Sequence, residues 1–189
     1  MSNIYWDIET NGLLNKIDEK RITCIGLLHN DLGVRIFSGK DEAKLIQDFF
    51  DFIVEECEDD TWVSYNGISF DVPFVCLRAI ANDLTLPSCF HKAIHERGKP
   101  DYIMDNHVDL MLVIYPHFAE IVRATGTGRM TKDSARNFFN IYEPRAGSAQ
   151  HCLLIARDEN WSPILMHNSM DLFTTESLYL ACVGRKWCK

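Results

Sequence analysis

Polar and apolar residues alternate with period two at the start of the chain. Ile4, Trp6 and Ile8 fall on one side of an extended segment, and Asp7 and Glu9 on the other. This predicts a strand over residues 3–8. A second strand is read from Arg21 to Leu28. The turn signal Asn30-Asp31-Leu32-Gly33 then leads into a third, Val34–Phe37, pairing back as a hairpin. The period becomes helical from Asp41 to Glu56, where Leu45, Ile46, Phe49, Phe52 and Ile53 recur on one face and Asp41 can cap the first turn. Thr61–Tyr65 is the next strand, broken by Asn66-Gly67. A helix follows over about Phe70–Ala81. Pro73 fits only its first turn, so the helix begins between Ser69 and Val72 and Asp71 stands at its entrance.

The second half is less regular. Asn82–Asp105 reads as irregular chain, and His107–Leu110 opens a short strand or helix ending near Pro116. Arg123–Arg129 reads as a flexible glycine-rich loop, and two helices are expected over Thr131–Phe139 and Gly147–Asp158. The last helix is bounded by Ser162 as cap, Pro163 in the first turn and Gly184 at the end. Met166, Met170, Phe173 and Leu180 form an apolar stripe on it, while His167 and Asp171, four apart, share a different face. No repeat or linker interrupts the pattern. The expectation is a single α/β domain over residues 1–189, an antiparallel hairpin followed by strand–helix alternation.

Composition narrows this picture. A chain of 189 residues suits one core. It holds no run of about 18 apolar residues, so no membrane span is expected, and its first residues lack a signal-peptide pattern. Seven cysteines without Cys-x-x-Cys spacing suggest free thiols in a reducing compartment, hence a cytoplasmic protein (the host cytoplasm if the source is viral). The net charge of −8 argues against a long basic groove for nucleic acid. That objection weakens where acids are metal ligands, and what remains is a small, local contact.

Asp7 and Glu9 on one face of a buried strand are costly without a counter-charge. Asp71 at a helix entrance and Asp171 on the last helix, one turn after His167, complete a set of hard oxygen donors suited to Mg²⁺ or Mn²⁺. Two such ions about 3.5–4 Å apart can activate water and stabilise the leaving oxygen in phosphodiester cleavage. Other features have two readings each. The acidic run Glu55–Asp60 is a solvated helix end or a metal site. His107 and Asp109 are structural, or a further metal or substrate contact. The Arg123–Arg129 loop, with Lys132 and Arg136 after it, is a solvated connector or a phosphate contact. His29, His91, His95, His117 and His151 show no partner in the sequence.

Asp7-Ile-Glu9-Thr-Asn-Gly12-Leu13 resembles the first motif of the DEDD 3′–5′ exonucleases, a DnaQ-like family with a ribonuclease H-like fold. Ser64-Tyr65-Asn66-Gly67-Ile-Ser-Phe70-Asp71-Val-Pro73-Phe74 resembles the second, and His167-Asn168-Ser169-Met170-Asp171 the third. The resemblance implies a central mixed sheet flanked by helices and a two-metal exonuclease acting on 3′ ends. Single-stranded DNA is the favoured substrate, with RNA as the alternative, and replication or repair proteins are candidate partners. It implies that Asp7 bridges both ions, Glu9 and Asp171 hold the one that activates water, and Asp71 serves the second. Asn66 would touch the terminal nucleotide or hold Asp71, and Phe70 would stack on it. Thr10, Asn11 and Gly12 would form the lip of the pocket, with Leu13 as a wedge.

One departure matters. The family's tyrosine branch, which includes family B polymerase proofreading domains, has three residues between tyrosine and the last aspartate. Its histidine branch has four. This chain has histidine with three. His167 then either orients or deprotonates the attacking water, the favoured reading, or is displaced and only hydrogen-bonds near the metals. The alternative function is a weak or inactive nucleic-acid- or protein-binding module that keeps the exonuclease fold.

Overall fold

The computed structural model describes residues 2–12, 20–57, 59–94, 100–126, 130–142 and 161–188. Its strands are β1 (Asn3–Thr10), β2 (Ile22–His29), β3 (Gly33–Ser38), β4 (Thr61–Ser64), β5 (Phe90–Ile94), β6 (Pro100–Met104) and β7 (His107–Asp109). Its helices are α1 (Glu42–Glu56), α2 (Asp71–Ala81), α3 (Leu110–Ile114), α4 (Phe118–Thr125), α5 (Lys132–Phe138) and α6 (Trp161–Gly184). A mixed sheet runs in the order β3-β2-β1-β4-β7. The first three strands are antiparallel, whereas β1–β4 and β4–β7 are parallel.

The period-two pattern of β1 sorts the two faces. Ile4, Trp6 and Ile8 join Ile25, Leu27, Phe49, Trp62 and Phe74 in the core beneath α1 and α2. Tyr5 faces the other way, into a second core with Leu172 and Leu178 of α6. Asp7 and Glu9 share that face. Glu42, buried at the start of α1, ties the first layer together. It accepts from the Ile22 amide at 2.6 Å and pairs with Arg78 of α2 at 2.6 Å. Asp41 caps α1, accepting from the Lys44 amide at 3.0 Å.

α6 already includes Trp161, so Ser162 lies inside the helix and does not cap it, and the structure departs from the sequence reading in three further places. Residues 82–105 contain the β5–β6 ribbon, with Pro100 at a strand start where its missing N–H is tolerated. Phe90, Tyr102 and Met104 of this ribbon are buried against the first core, a burial that loop chemistry in the flanking sequence obscures. Arg123 belongs to helix α4, which ends on Gly126 in the left-handed region (φ 69°), and residues 127–129 of the expected loop lie outside the described residues. Thirdly, Met166, Phe173 and Leu180 are exposed, and the sheet-facing side of α6 carries Ile164, Asn168, Leu172, Thr175, Leu178 and Cys182. Both sides of α6 are apolar enough that periodicity could not choose between them.

The helix expected over 147–158 lies outside the described residues, as do His95, Arg129 and His151. None of the described cysteines forms a disulfide. Among the described residues no helix is long and apolar enough to cross a membrane.

Candidate active site

β4 pairs with β1 only from Asn3 to Tyr5, so past Tyr5 the β1 backbone loses its parallel neighbour. The chain leaves β4 through Tyr65–Phe70 and enters α2 at Asp71. Asp71 Oδ1 accepts from the freed Ile8 amide at 3.0 Å, taking the place of the missing strand. A crevice of this kind, beyond the carboxyl ends of parallel strands, is where open α/β sheets bind ligands.

The turn that delivers Asp71 is built from behind by Asp109. Its carboxylate accepts from the amides of Asn66 at 2.9 Å, Ile68 at 3.1 Å and Met111 at 2.9 Å. Asn66 itself is left-handed (φ 68°), a conformation asparagine tolerates. Gly67 sits so close to Ser64 that a Cβ would lie 2.1 Å from its hydroxyl oxygen. The Gly67 N–H donates to Ser64 Oγ at 3.1 Å, and that oxygen lies 2.8 Å from His107 Nε2. His107 and Asp109 thus shape the turn, and neither lines the cavity in front of it.

That cavity measures about 340 Å³. Asp7, Glu9, Asp71, Asp171, His167, Asn66 and Phe70 all line it, although they come from both ends of the chain. α6 is docked to bring the last motif there. Asn168 is fully buried and donates to the Asp7 carbonyl at 3.0 Å. Its approach is possible because Gly26 lies beneath it: a Cβ there would come within 1.7 Å of Asn168 Oδ1. Near Glu9 the β1–β2 register shifts by one residue, a bulge of the kind found beside functional sites. His167 Nε2 lies 3.8 Å from Glu9 Oε1, too far for a direct hydrogen bond.

Burial and crowding dominate the electrostatics. Burial pushes the Asp71 carboxyl well above the usual range, and neighbouring Asp7 adds to this against the bond from Ile8. Glu9 is raised in the same way by burial, then by Asp7 and Asp171. Asp7 is raised by burial, with Lys132 opposing. The cavity therefore holds more buried negative charge than its own cations balance. Such a donor set fits divalent metal, since an added cation would relieve both burial and mutual repulsion.

Sequence reasoning missed Lys132 as a member of this site. Its Nζ lies 3.0 Å from Asp7 Oδ1 and 3.0 Å from Asp171 Oδ2, with the side chain 18% exposed. It was visible only as a cation following a glycine-rich loop. No local spacing relates position 132 to positions 7 and 171.

The remaining expected contacts lie elsewhere. Thr10, Asn11 and Gly12 are at the end of β1 but do not line the cavity. Thr10 Oγ1 donates to the Gly12 carbonyl at 2.5 Å, and Asn11 Oδ1 accepts from the Arg21 amide at 2.8 Å. Leu13 lies outside the described residues. A second group with metal-binding spacing, His29, Cys57 and Asp60, is found near β2. Its hydrogen bonds explain it without an ion. His29 Nδ1 accepts from the amides of Asp31 and Leu32, which places the ring proton on Nε2, 3.0 Å from Asp60. Burial pushes the Cys57 thiol up to about 12, so it stays protonated.

Comparison with known proteins bears on the fold. The RNase_H superfamily model matches residues 4–183. The fold is similar to that of the family B DNA polymerase from the hyperthermophilic archaeon Pyrobaculum calidifontis. The TM-score is 0.76 at 20% identity over 97% of this chain. The chain spans 24% of the length of that polymerase. Among curated proteins, none matches the sequence.

Proposed function

The chain belongs to the RNase H superfamily, and from that premise we propose that it is a metal-dependent 3′–5′ exonuclease releasing nucleoside monophosphates. Superfamily membership supports a nuclease in general terms. The observation that carries the finer reading is the convergence of Asp7, Glu9, Asp71 and Asp171 on one cavity that also holds His167.

In this reading Asp7, Glu9 and Asp171 would hold one divalent ion, and Asp71 with Asp7 would hold the second. When bound, Mg²⁺ or Mn²⁺ lowers the pKa of water and neutralises charge on the scissile phosphate. The protein's own groups do the rest. The Ile8 amide fixes the Asp71 carboxylate, and Asn168 holds the β1 backbone at Asp7 through its carbonyl. Asn66 and Phe70, presented by the Asp109-braced turn, contact the terminal nucleotide, with Phe70 offering a face to the base. His167 takes up or orients the proton of the attacking water from the wall carrying Glu9. The cavity, about 340 Å³ at the end of the sheet, is on the scale of one nucleotide, which suits a chain terminus better than an internal segment. Single-stranded DNA is the favoured substrate, with RNA as the alternative.

The test is digestion of 5′-labelled single strands, DNA and RNA in parallel, with Mn²⁺ or Mg²⁺. A ladder shortening from the 3′ end is the expected result. Asp7→Ala is expected to reduce it by more than the roughly 10–100-fold typical of losing a supporting contact. His167→Ala is expected to lose most activity with near-native Mn²⁺ binding; full activity would remove the proton-transfer role. A second reading has one observation in its favour, the Lys132 bridge. If that ammonium is a permanent counter-ion, the protein is a metal-free binding module, and it will bind single strands without shortening them.

A further inference from the structure

We propose that Lys132 is an exchangeable internal counter-ion: its ammonium bridges Asp7 and Asp171 in the metal-free protein and must leave that bridge when a divalent ion binds. The inference rests on the metal-dependent reading above. It starts from position. Lys132 Nζ reaches Asp7 Oδ1 and Asp171 Oδ2 at 3.0 Å each, so one cation joins carboxylates separated by most of the chain. A magnesium ion taking the same oxygens at about 2.1 Å would stand within van der Waals contact of the ammonium. Two cations cannot share that place.

The lysine is delivered there firmly. It is the first residue of α5, whose start is fixed by a reciprocal cap: the Ser134 amide donates to Thr131 Oγ1 at 3.1 Å and the Thr131 amide to Ser134 Oγ at 2.8 Å. The backbone is therefore held, and exchange falls to the four-carbon side chain, which is flexible. An alternative acceptor stands in the same cavity. Tyr65 lines it, and its buried hydroxyl has no hydrogen-bond partner among the described residues. In the bridged state the side chain is charged. Burial pulls the ammonium down, but Asp7 and Asp171 outweigh it and the net shift is upward.

The exchange has two consequences. The metal-free protein keeps its acid cluster assembled, because one charge already offsets part of the repulsion among four carboxylates. Metal affinity is correspondingly lower than the same acids would give without the lysine. The ammonium, once displaced, stays at the cavity where a phosphate enters, a partner it can take at charge-assisted hydrogen-bond distance.

Mn²⁺ binding, followed by the loss of the free-ion electron paramagnetic resonance signal, tests this without any activity measurement. Lys132→Met, close in length but uncharged, is expected to bind Mn²⁺ about tenfold more tightly than the native protein, and to lose melting temperature in the absence of metal more than in its presence. Equal or weaker binding by Lys132→Met would overturn the inference and leave the metal reading standing. No Mn²⁺ binding by the native protein would overturn both. A second measurement needs no variant. Reductive methylation read by peptide mass should label Lys132 faster with saturating Mn²⁺ than without, while exposed Lys44 is unchanged. Equal labelling of Lys132 in both states would count against exchange.

Discussion

His107 shows how a single buried ring can set the acid limit of the molecule. The Gly67 amide donates to Ser64 Oγ, and the same oxygen lies 2.8 Å from His107 Nε2. Burial disfavours the charged ring and lowers its pKa to about 4, with Asp109 opposing. The sign follows from proton counting. Between pH 6.5 and 4 the unfolded chain binds a proton at this histidine that the folded chain does not, so stability falls as pH drops through that window. A shift from 6.5 to about 4 corresponds to roughly 3 kcal/mol at full development. Urea midpoints of the native protein should fall more steeply between pH 6.5 and 4.5 than those of His107→Gln. Parallel curves would mean the ring is not held neutral. Because this histidine braces the turn that carries Asn66, Phe70 and Asp71, loss of nuclease activity on mild acidification should track the same window.

At the scale of elements, the decisive contact is α6 against the sheet. Asn168 reaches the Asp7 carbonyl only because Gly26 has no side chain. Gly26→Ala must push Asn168 aside, and with it the helical turn that bears His167 and Asp171. Overpacking of this sort costs about 1–3 kcal/mol. The variant should therefore melt lower and lose activity out of proportion, since Asp171 moves relative to Asp7; a variant with native melting temperature and native activity would show that α6 absorbs the methyl group. This junction also marks how far the sequence could be read. The strand face carrying Asp7 and Glu9 was legible because period two is a local signal. Asp71 was legible because Pro73 admits one helix start. The orientation of α6 was not, because Met166, Phe173 and Leu180 make a stripe as apolar as the one that is buried. What chooses between them is Gly26, 146 residues before Leu172, through a contact no periodicity encodes. The β5–β6 ribbon was missed for a related reason: Phe90, Tyr102 and Met104 earn their burial from α2 and the far core. Lys132 belongs to the same class, since its meaning lies wholly in where α5 is placed.

At the scale of the whole molecule, a net charge of −8 has to coexist with a polyanionic substrate. Two divalent ions would return about four positive charges, and Lys132 supplies one more inside the cavity, so attraction is concentrated within the site while the rest of the surface repels. At physiological salt such repulsion reaches only about 8 Å. Two opposing salt effects follow. Added salt competes for the few phosphates the site neutralises, and it also screens the repulsion between strand and surface. A single strand loses about 0.7 log units of affinity per log unit of salt for each phosphate neutralised. A cavity of about 340 Å³ has room for little more than the terminal nucleotide. Contact with two or three phosphates then gives a slope between about −1 and −2, with screening of the repulsion pulling it toward the shallow end. Anisotropy of a labelled oligonucleotide with Asp7→Asn, across a range of KCl concentrations, measures this slope. Under the proposed 3′-end recognition, the same strand blocked by a 3′-phosphate should bind much more weakly. A slope steeper than about −4 would require six or more phosphates. It would point to an extended binding path along the surface and against a pocket built for a chain terminus.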